Sequence, residues 1–242
     1  MNKLFPLVFL LSAGFFLSCQ GPTVATSQTD NEPKNANGEV VSINENQPEN
    51  QTATLETKPI YVEIDGKQSE LILAKEVIPN LVEDLKYATT DNFMHRKLYD
   101  DPKCYLLKET VQKLSLAAKE LSERNPGCRL KVWDCYRPMK IQLEMWKEYT
   151  NTPYVANPKT ARHPRGRAVD ITIVDASGNE LDMPTEYDDF TPKAHPNAPT
   201  TPKASANREL LRSIMTSVGF TGVNSEWWHF DNWATPPKST RK

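Results

Sequence analysis

Beyond residue 58 the chain alternates short β-branched runs with amphipathic helical stretches, the pattern of a domain in which sheet and helix share one core. Tyr61 to Asp65 and Glu70 to Ala74, split by Asp65-Gly66, read as a small hairpin. Val111, Leu114, Ala117, Ala118 and Leu121 recur at helical spacing with Lys and Glu between them, and Asn125-Pro126-Gly127 ends the run. That predicts a helix buried along one face. Leu130 to Asp134 reads as a strand, and Pro138 suits the first turn of a helix running through Trp146. Ala168, Val169, Ile171, Ile173 and Val174 form a mostly apolar buried strand, and Arg208 to Val218 gives the last helix. Trp227-Trp228-His229-Phe230 has the aromatic composition of a further strand. No repeat or second domain boundary is visible, so the prediction is a single α+β domain over residues 58–235.

The ends of the chain read differently. Residues 1–18, "MNKLFPLVFLLSAGFFLS", combine Lys3, an apolar stretch too short to span a membrane, and small residues before Cys19, which predicts an export signal. Phe16-Leu17-Ser18-Cys19 resembles a loose bacterial lipobox in which Cys19 carries the lipid; ordinary cleavage is the alternative. Residues 19–57 are rich in Asn, Gln, Thr, Glu and Pro and nearly lack aromatics, so they bury too little to offset ordering entropy and read as a flexible tether. A lipid at Cys19 followed by a tether predicts a bacterial cell-envelope lipoprotein, held to a membrane through its N-terminal lipid. Residues 236–242 have no reason to be ordered. A net charge of -2 over 242 residues argues against nucleic acid as a partner. After Cys19 the cysteines are Cys104, Cys128 and Cys135, and an exported chain can keep a disulfide among them.

The candidate chemistry lies where polar residues interrupt apolar strands. His163 precedes a glycine in the loop "RHPRGR", and Asp170 sits inside the buried strand, where a carboxylate is costly unless a cation compensates it. A nearby arginine would do, which leaves a plain ion pair open. Glu226-Trp-Trp-His229 sets a second histidine and another carboxylate in an aromatic stretch. His163, Asp170 and His229 together make the nitrogen and oxygen donor set of one catalytic zinc, with Glu226 as a base beside it. Residues three apart in a flat strand face opposite ways, so Glu226 and His229 share a site only if the strand begins or bends there. Arg137, at the end of Asp134-Cys-Tyr-Arg-Pro, suits either oxyanion stabilisation or a salt bridge. His95 and His195 lie in polar stretches and are predicted to be on the surface.

These segments resemble the D-alanyl-D-alanine dipeptidase (VanX-type) family of zinc metallopeptidases, in Tyr136-Arg137-Pro138, in His163-x-x-Gly-x-Ala-x-Asp170 and in Glu226-Trp-x-His229, in the family's order. "DLKYATTDNF" from Asp84 and "DMPTEYDDF" from Asp182 are similar to the family as well, so the likeness runs from Val82 to Trp233. It implies a compact α+β domain with a central, mostly antiparallel sheet flanked by helices and carrying the zinc. It also implies His163, Asp170 and His229 as ligands of one Zn2+ per chain, Glu226 as base, Arg137 as transition-state stabiliser, and Tyr87 or Asp188 near the substrate. The implied reaction is hydrolysis of a small D,D-dipeptide in peptidoglycan turnover or salvage. The alternatives are a D,D-carboxypeptidase or endopeptidase acting on stem peptides, and a non-catalytic zinc-binding envelope module. Family members often carry a serine two residues before the first histidine, where this chain has Ala161. Similar exported members imply a Cys104–Cys135 disulfide, leaving Cys128 reduced.

Overall fold

The computed structural model describes residues 59–150 and 152–233, which belong to one compact unit. The predicted signal, Cys19, the tether and the C-terminal tail lie outside the described residues. In chain order the elements are β1 (Ile60–Ile64), β2 (Lys67–Leu73), α1 (Ala74–Val77), β3 (Val82–Glu83), β4 (Tyr105–Leu107), α2 (Lys108–Arg124), β5 (Arg129–Asp134), α3 (Met139–Glu148), β6 (Ala168–Val174), α4 (Pro202–Ser217), β7 (Thr221–Gly222) and β8 (His229–Asp231). Short 3-10 turns cover Lys86–Ala88, His163–Arg165 and Pro192–Ala194.

Two sheets result. One has the order β1-β2-β4, and its hairpin turns through Asp65 and Gly66, both at positive φ, as a two-residue turn between twisted strands requires. The other has the order β3-β5-β6-β8-β7, antiparallel except where β3 runs parallel to β5. The α+β expectation therefore holds, with most of the antiparallel sheet at its centre.

The main core forms on one side of the larger sheet. Leu114 and Leu121 of α2 and Leu211 and Ile214 of α4 pack with Leu130, Val132, Val169, Ile171 and Ile173. Each such side chain contributes about 1.5–3 kcal/mol by leaving water. Alternation along β6 then sends Ala168, Asp170 and Thr172 to the opposite face, and all of β6 is buried.

Gly166 shows why this topology needs a glycine. It ends the His163–Arg165 turn at φ 61°, and a Cβ there would sit 2.9 Å from Leu71 Cδ2 and 3.0 Å from the Leu107 nitrogen. The Gly166 carbonyl accepts from Leu107 N–H, which fastens the turn to β4.

A disulfide joins Cys104 to Cys135, as the resemblance implies, across a separation of 31 residues. It contributes roughly 3–4 kcal/mol by restricting the unfolded chain. The expectation that Cys128 stays reduced is not met: no described cysteine is a free thiol. The predicted aromatic strand is also shorter than expected, because pairing starts only at His229.

Candidate metal and peptide site

Register across three neighbouring strands assembles the site. Asp170 of β6 lies directly opposite Asp134 of β5 on one side and His229 of β8 on the other, so the three side chains form a row on the face away from α2 and α4. The β5–β6 pairing shifts register between Val132 and Asp134, a local irregularity that re-aims the end of β5. His163 comes from the preceding turn, whose carbonyl accepts from Arg137 N–H and so ties the two motifs together.

The donors then fix one another. His163 Nδ1 lies 2.7 Å from the Cys135 carbonyl, an acceptor, so it carries the proton and Nε2 keeps a lone pair. His229 Nε2 lies 3.0 Å from Asp231 Oδ1, which likewise leaves Nδ1 with a lone pair. Tyr187 donates to Asp170 Oδ2 at 2.8 Å and leaves Oδ1 facing the histidines, 2.9 Å from His229 Nδ1 and 3.3 Å from His163 Nε2. The two facing ring nitrogens are 3.2 Å apart.

Three lone pairs thus converge with no proton assigned between them, and one ligand atom from each residue lies within 4.8 Å of the others. Such a set repels itself unless a cation enters, so the residues fit a metal, and each has an outer partner to orient it. Without one, the cluster draws in protons. Burial opposes charge on His229, but Asp170 and Asp231 push its basicity well above that of ordinary imidazole. Burial likewise opposes charge on Asp170, yet the histidines hold its carboxyl well below the usual range.

Glu226 lies in the bend before β8, which answers the facing problem: the strand begins at His229, and both residues line one cavity of about 270 Å³. Burial pushes the Glu226 carboxyl up to about 8; Asp170 and Asp188 add repulsion, while His229 and Arg137 oppose it. A metal cation beside it would pull that value back toward neutrality, where a base is most useful.

Arg137 also lines the cavity, buried beneath Tyr87, with its guanidinium carbon 4.9 Å from the ring centroid. Its Nε and Nη2 donate to Asp134 at 3.0 and 2.6 Å, and Nη1 to Gln142 at 2.9 Å. The salt bridge and the exposure to the cavity coexist, since a guanidinium has five N–H groups and three are used.

The remaining wall is made by loops. Asn92 donates to the carbonyls of Lys86, Thr89 and Arg96, which shapes the segment carrying Tyr87 and Phe93. Asp188, at positive φ, accepts from the Tyr87 hydroxyl at 3.2 Å and from Phe93 N–H at 3.1 Å, and burial pushes its carboxyl up to about 7. Trp227 Nε1 donates to Thr185, and Asn207 of α4 donates to the Asp182 carbonyl, so the loop bearing Tyr187 and Asp188 is pinned at two points. Ala161 lines the cavity with only a methyl group.

His95 and His195 are exposed, as predicted. Four residues were not anticipated: Asp134, Tyr187, Asp231 and Gln142. Asp134 is fully buried and accepts from Tyr99 as well as Arg137. Asp134 in "KVWDCYR" is, like Asp170, a carboxylate in an apolar strand and was legible by the same rule. Asp231 stands two residues after His229, on the same face of a strand, which was also readable.

A family model described as D-ala-D-ala dipeptidase matches residues 67–240. The chain is 36% identical over 167 residues to the D-alanyl-D-alanine dipeptidase of Escherichia coli K12, covering 67% of this chain and 84% of that protein. It is 30% identical over 182 residues to the dipeptidase of that name from Streptomyces coelicolor, covering 64% and 87%. The one from Enterococcus faecalis is 27% identical over 186 residues, covering 67% and 91%. With the family's motifs meeting in one cavity and the family model spanning the whole described fold from β2 onward, the chain belongs to the D-ala-D-ala dipeptidase family of peptidases.

Proposed function

We propose that this chain is a zinc-dependent dipeptidase that hydrolyses D-alanyl-D-alanine to two molecules of D-alanine. The observation that carries the reading is the convergence of three lone pairs, from His163, Asp170 and His229, beside the buried carboxylate of Glu226. Zinc bound there supplies a Lewis acid for the scissile carbonyl and for the attacking water.

The chain's own groups do the rest. Glu226 takes a proton from the attacking water and passes it to the amide nitrogen as the C–N bond breaks. Arg137, kept rigid by Asp134 and Gln142, offers its remaining N–H groups to the carbonyl oxygen as negative charge develops there. Asp188, oriented by Tyr87 and Phe93, is placed to hold the substrate ammonium. Aromatic rings at Phe93, Tyr154 and Phe190 exclude water from the cavity wall.

A cavity of about 270 Å³, at the small end of the ~300–1,000 Å³ usual for drug-sized ligands, is of a size to take a dipeptide. A purely binding module would need neither the buried Glu226 nor a guanidinium held open to the cavity. The lipobox-like Cys19 and the polar segment after it support placement in the bacterial cell envelope, and with it peptidoglycan turnover or salvage. Cys19→Ser should move the protein from the membrane fraction to the soluble one.

The test is release of alanine from D-Ala-D-Ala, L-Ala-L-Ala and a stem pentapeptide by the zinc-loaded protein and its Glu226→Ala variant. The reading expects cleavage of D-Ala-D-Ala alone, lost in the variant. Cleavage of the pentapeptide would make it a wall-trimming carboxypeptidase instead, and no cleavage with zinc bound would leave a binding module.

A further inference from the structure

The cavity holds two arginines in opposite circumstances. Arg137 is engaged by Asp134 and Gln142. Arg162 is not: its Nε is buried without a hydrogen-bond partner, and among the described residues its guanidinium forms no direct ion pair, although Asp231 acts on it through space. The guanidinium carbon instead lies over the Trp233 ring, 3.6 Å from the centroid. Both residues line the same cavity as His163 and His229.

A guanidinium supported on an indole keeps its charge, gives up little side-chain freedom on binding, and presents an edge of parallel N–H donors. That edge matches a carboxylate, which it grips with two hydrogen bonds. Ala161, the residue before it, lines the cavity without offering any donor. Asp188 is the complementary case, a cavity carboxylate held by Tyr87 and Phe93 with no cation paired to it among the described residues. One unpaired cation and one unpaired anion in a single small cavity complement a zwitterion, whose two charged ends would each be costly to bury alone.

We propose that Arg162, carried on Trp233, anchors the free C-terminal carboxylate of the substrate and so confines cleavage to the last peptide bond. This rests on the dipeptidase reading and adds the group that sets its specificity. A peptide extended or amidated at its C-terminus loses the partner of Arg162 and leaves the cation desolvated, so endopeptidase action is disfavoured by the same residue.

The experiment uses Glu226→Gln protein, whose turnover is slowed by orders of magnitude, titrated calorimetrically in the cold, with intact ligand checked afterwards, against D-Ala-D-Ala and its C-terminal amide. Arg162 is only partly buried, so the amide should bind roughly 10-fold more weakly, less than the penalty for truncating one partner of a fully buried charge pair. With Arg162→Ala or Arg162→Gln added, the ratio between the two ligands should collapse to near one. The ratio is taken within one preparation, so a loss of folded protein cannot imitate that result. An unchanged ratio in both variants, or equal binding of acid and amide before Arg162 is touched, would overturn the anchor. If the ratio behaves as expected while zinc-loaded wild type releases no alanine from D-Ala-D-Ala, the anchor stands and the dipeptidase reading falls.

Discussion

The two walls of the cavity are built by different means. The metal wall is a row across three paired strands, Asp134, Asp170 and His229, with His163 stitched to it by backbone hydrogen bonds. The substrate wall, as proposed, is a set of connecting segments holding Tyr87, Phe93, Arg162, Asp188 and Phe190. Strand register leaves no alternative position for a side chain, whereas a loop has to be held residue by residue, as Asn92, Asn207 and Trp227 do here. Under the proposed function the metal donors therefore sit on or beside the sheet, while the groups proposed to choose the substrate sit on connecting segments.

That contrast predicts different failures for the two walls. Asp170→Ala should have the largest effect: it removes one of three donors and leaves two facing nitrogens, so zinc stoichiometry falls and measurable turnover goes with it. Glu226→Gln should bind zinc and substrate normally yet lose about 10²–10⁴-fold in kcat, since only proton transfer is removed. Arg137→Lys should cost about 10²–10³-fold in kcat with zinc retained, because a lysine cannot hold Asp134 and Gln142 while reaching the oxyanion.

Two smaller effects sharpen the comparison. Tyr187→Phe strips the hydrogen bond from Asp170 Oδ2 and should weaken zinc affinity roughly 10–100-fold, readable by competition with a chelator. Asp188→Asn should raise KM roughly 10-fold and leave zinc affinity unchanged. Burial raises the Asp188 carboxyl to about 7, so in the native protein it gains a proton as pH falls through that region. KM should therefore worsen on acidification from pH 8 to 6, and the asparagine variant should lose that dependence. An equal loss of zinc in Asp188→Asn and Tyr187→Phe would erase the distinction between the walls.

The same contrast explains what the sequence disclosed. Burial makes a charged residue in an apolar strand conspicuous, so Asp170 and His229 stand out, and His163 joins them by completing the donor set of a zinc site. Glu226 was recognised by type, but its sharing a face with His229 depended on where pairing starts, which a run of aromatics does not mark. Asp134 and Asp231 were equally exposed to reasoning by the same rule and were passed over. Tyr187 was not accessible in that way, since its bond to Asp170 joins a loop to a strand and depends on how residues 175–201 cross the sheet. Arg162 carried no signal either, because an arginine beside other arginines in a loop looks like ordinary surface until its missing partner is seen. Cys128 shows the opposite hazard: the Cys104–Cys135 pairing implied by the resemblance leaves it as a reduced thiol, and no described cysteine is a free thiol.

The most direct test of the central claim is to titrate metal-free protein with zinc while recording alanine release from D-Ala-D-Ala, in wild type and in Asp170→Ala. The account predicts that wild-type activity rises linearly and saturates at one zinc per chain, and that the variant shows neither tight binding nor activity. Saturation of activity at one zinc in the Asp170→Ala protein, or a wild-type site that fills without any release of alanine, would contradict it.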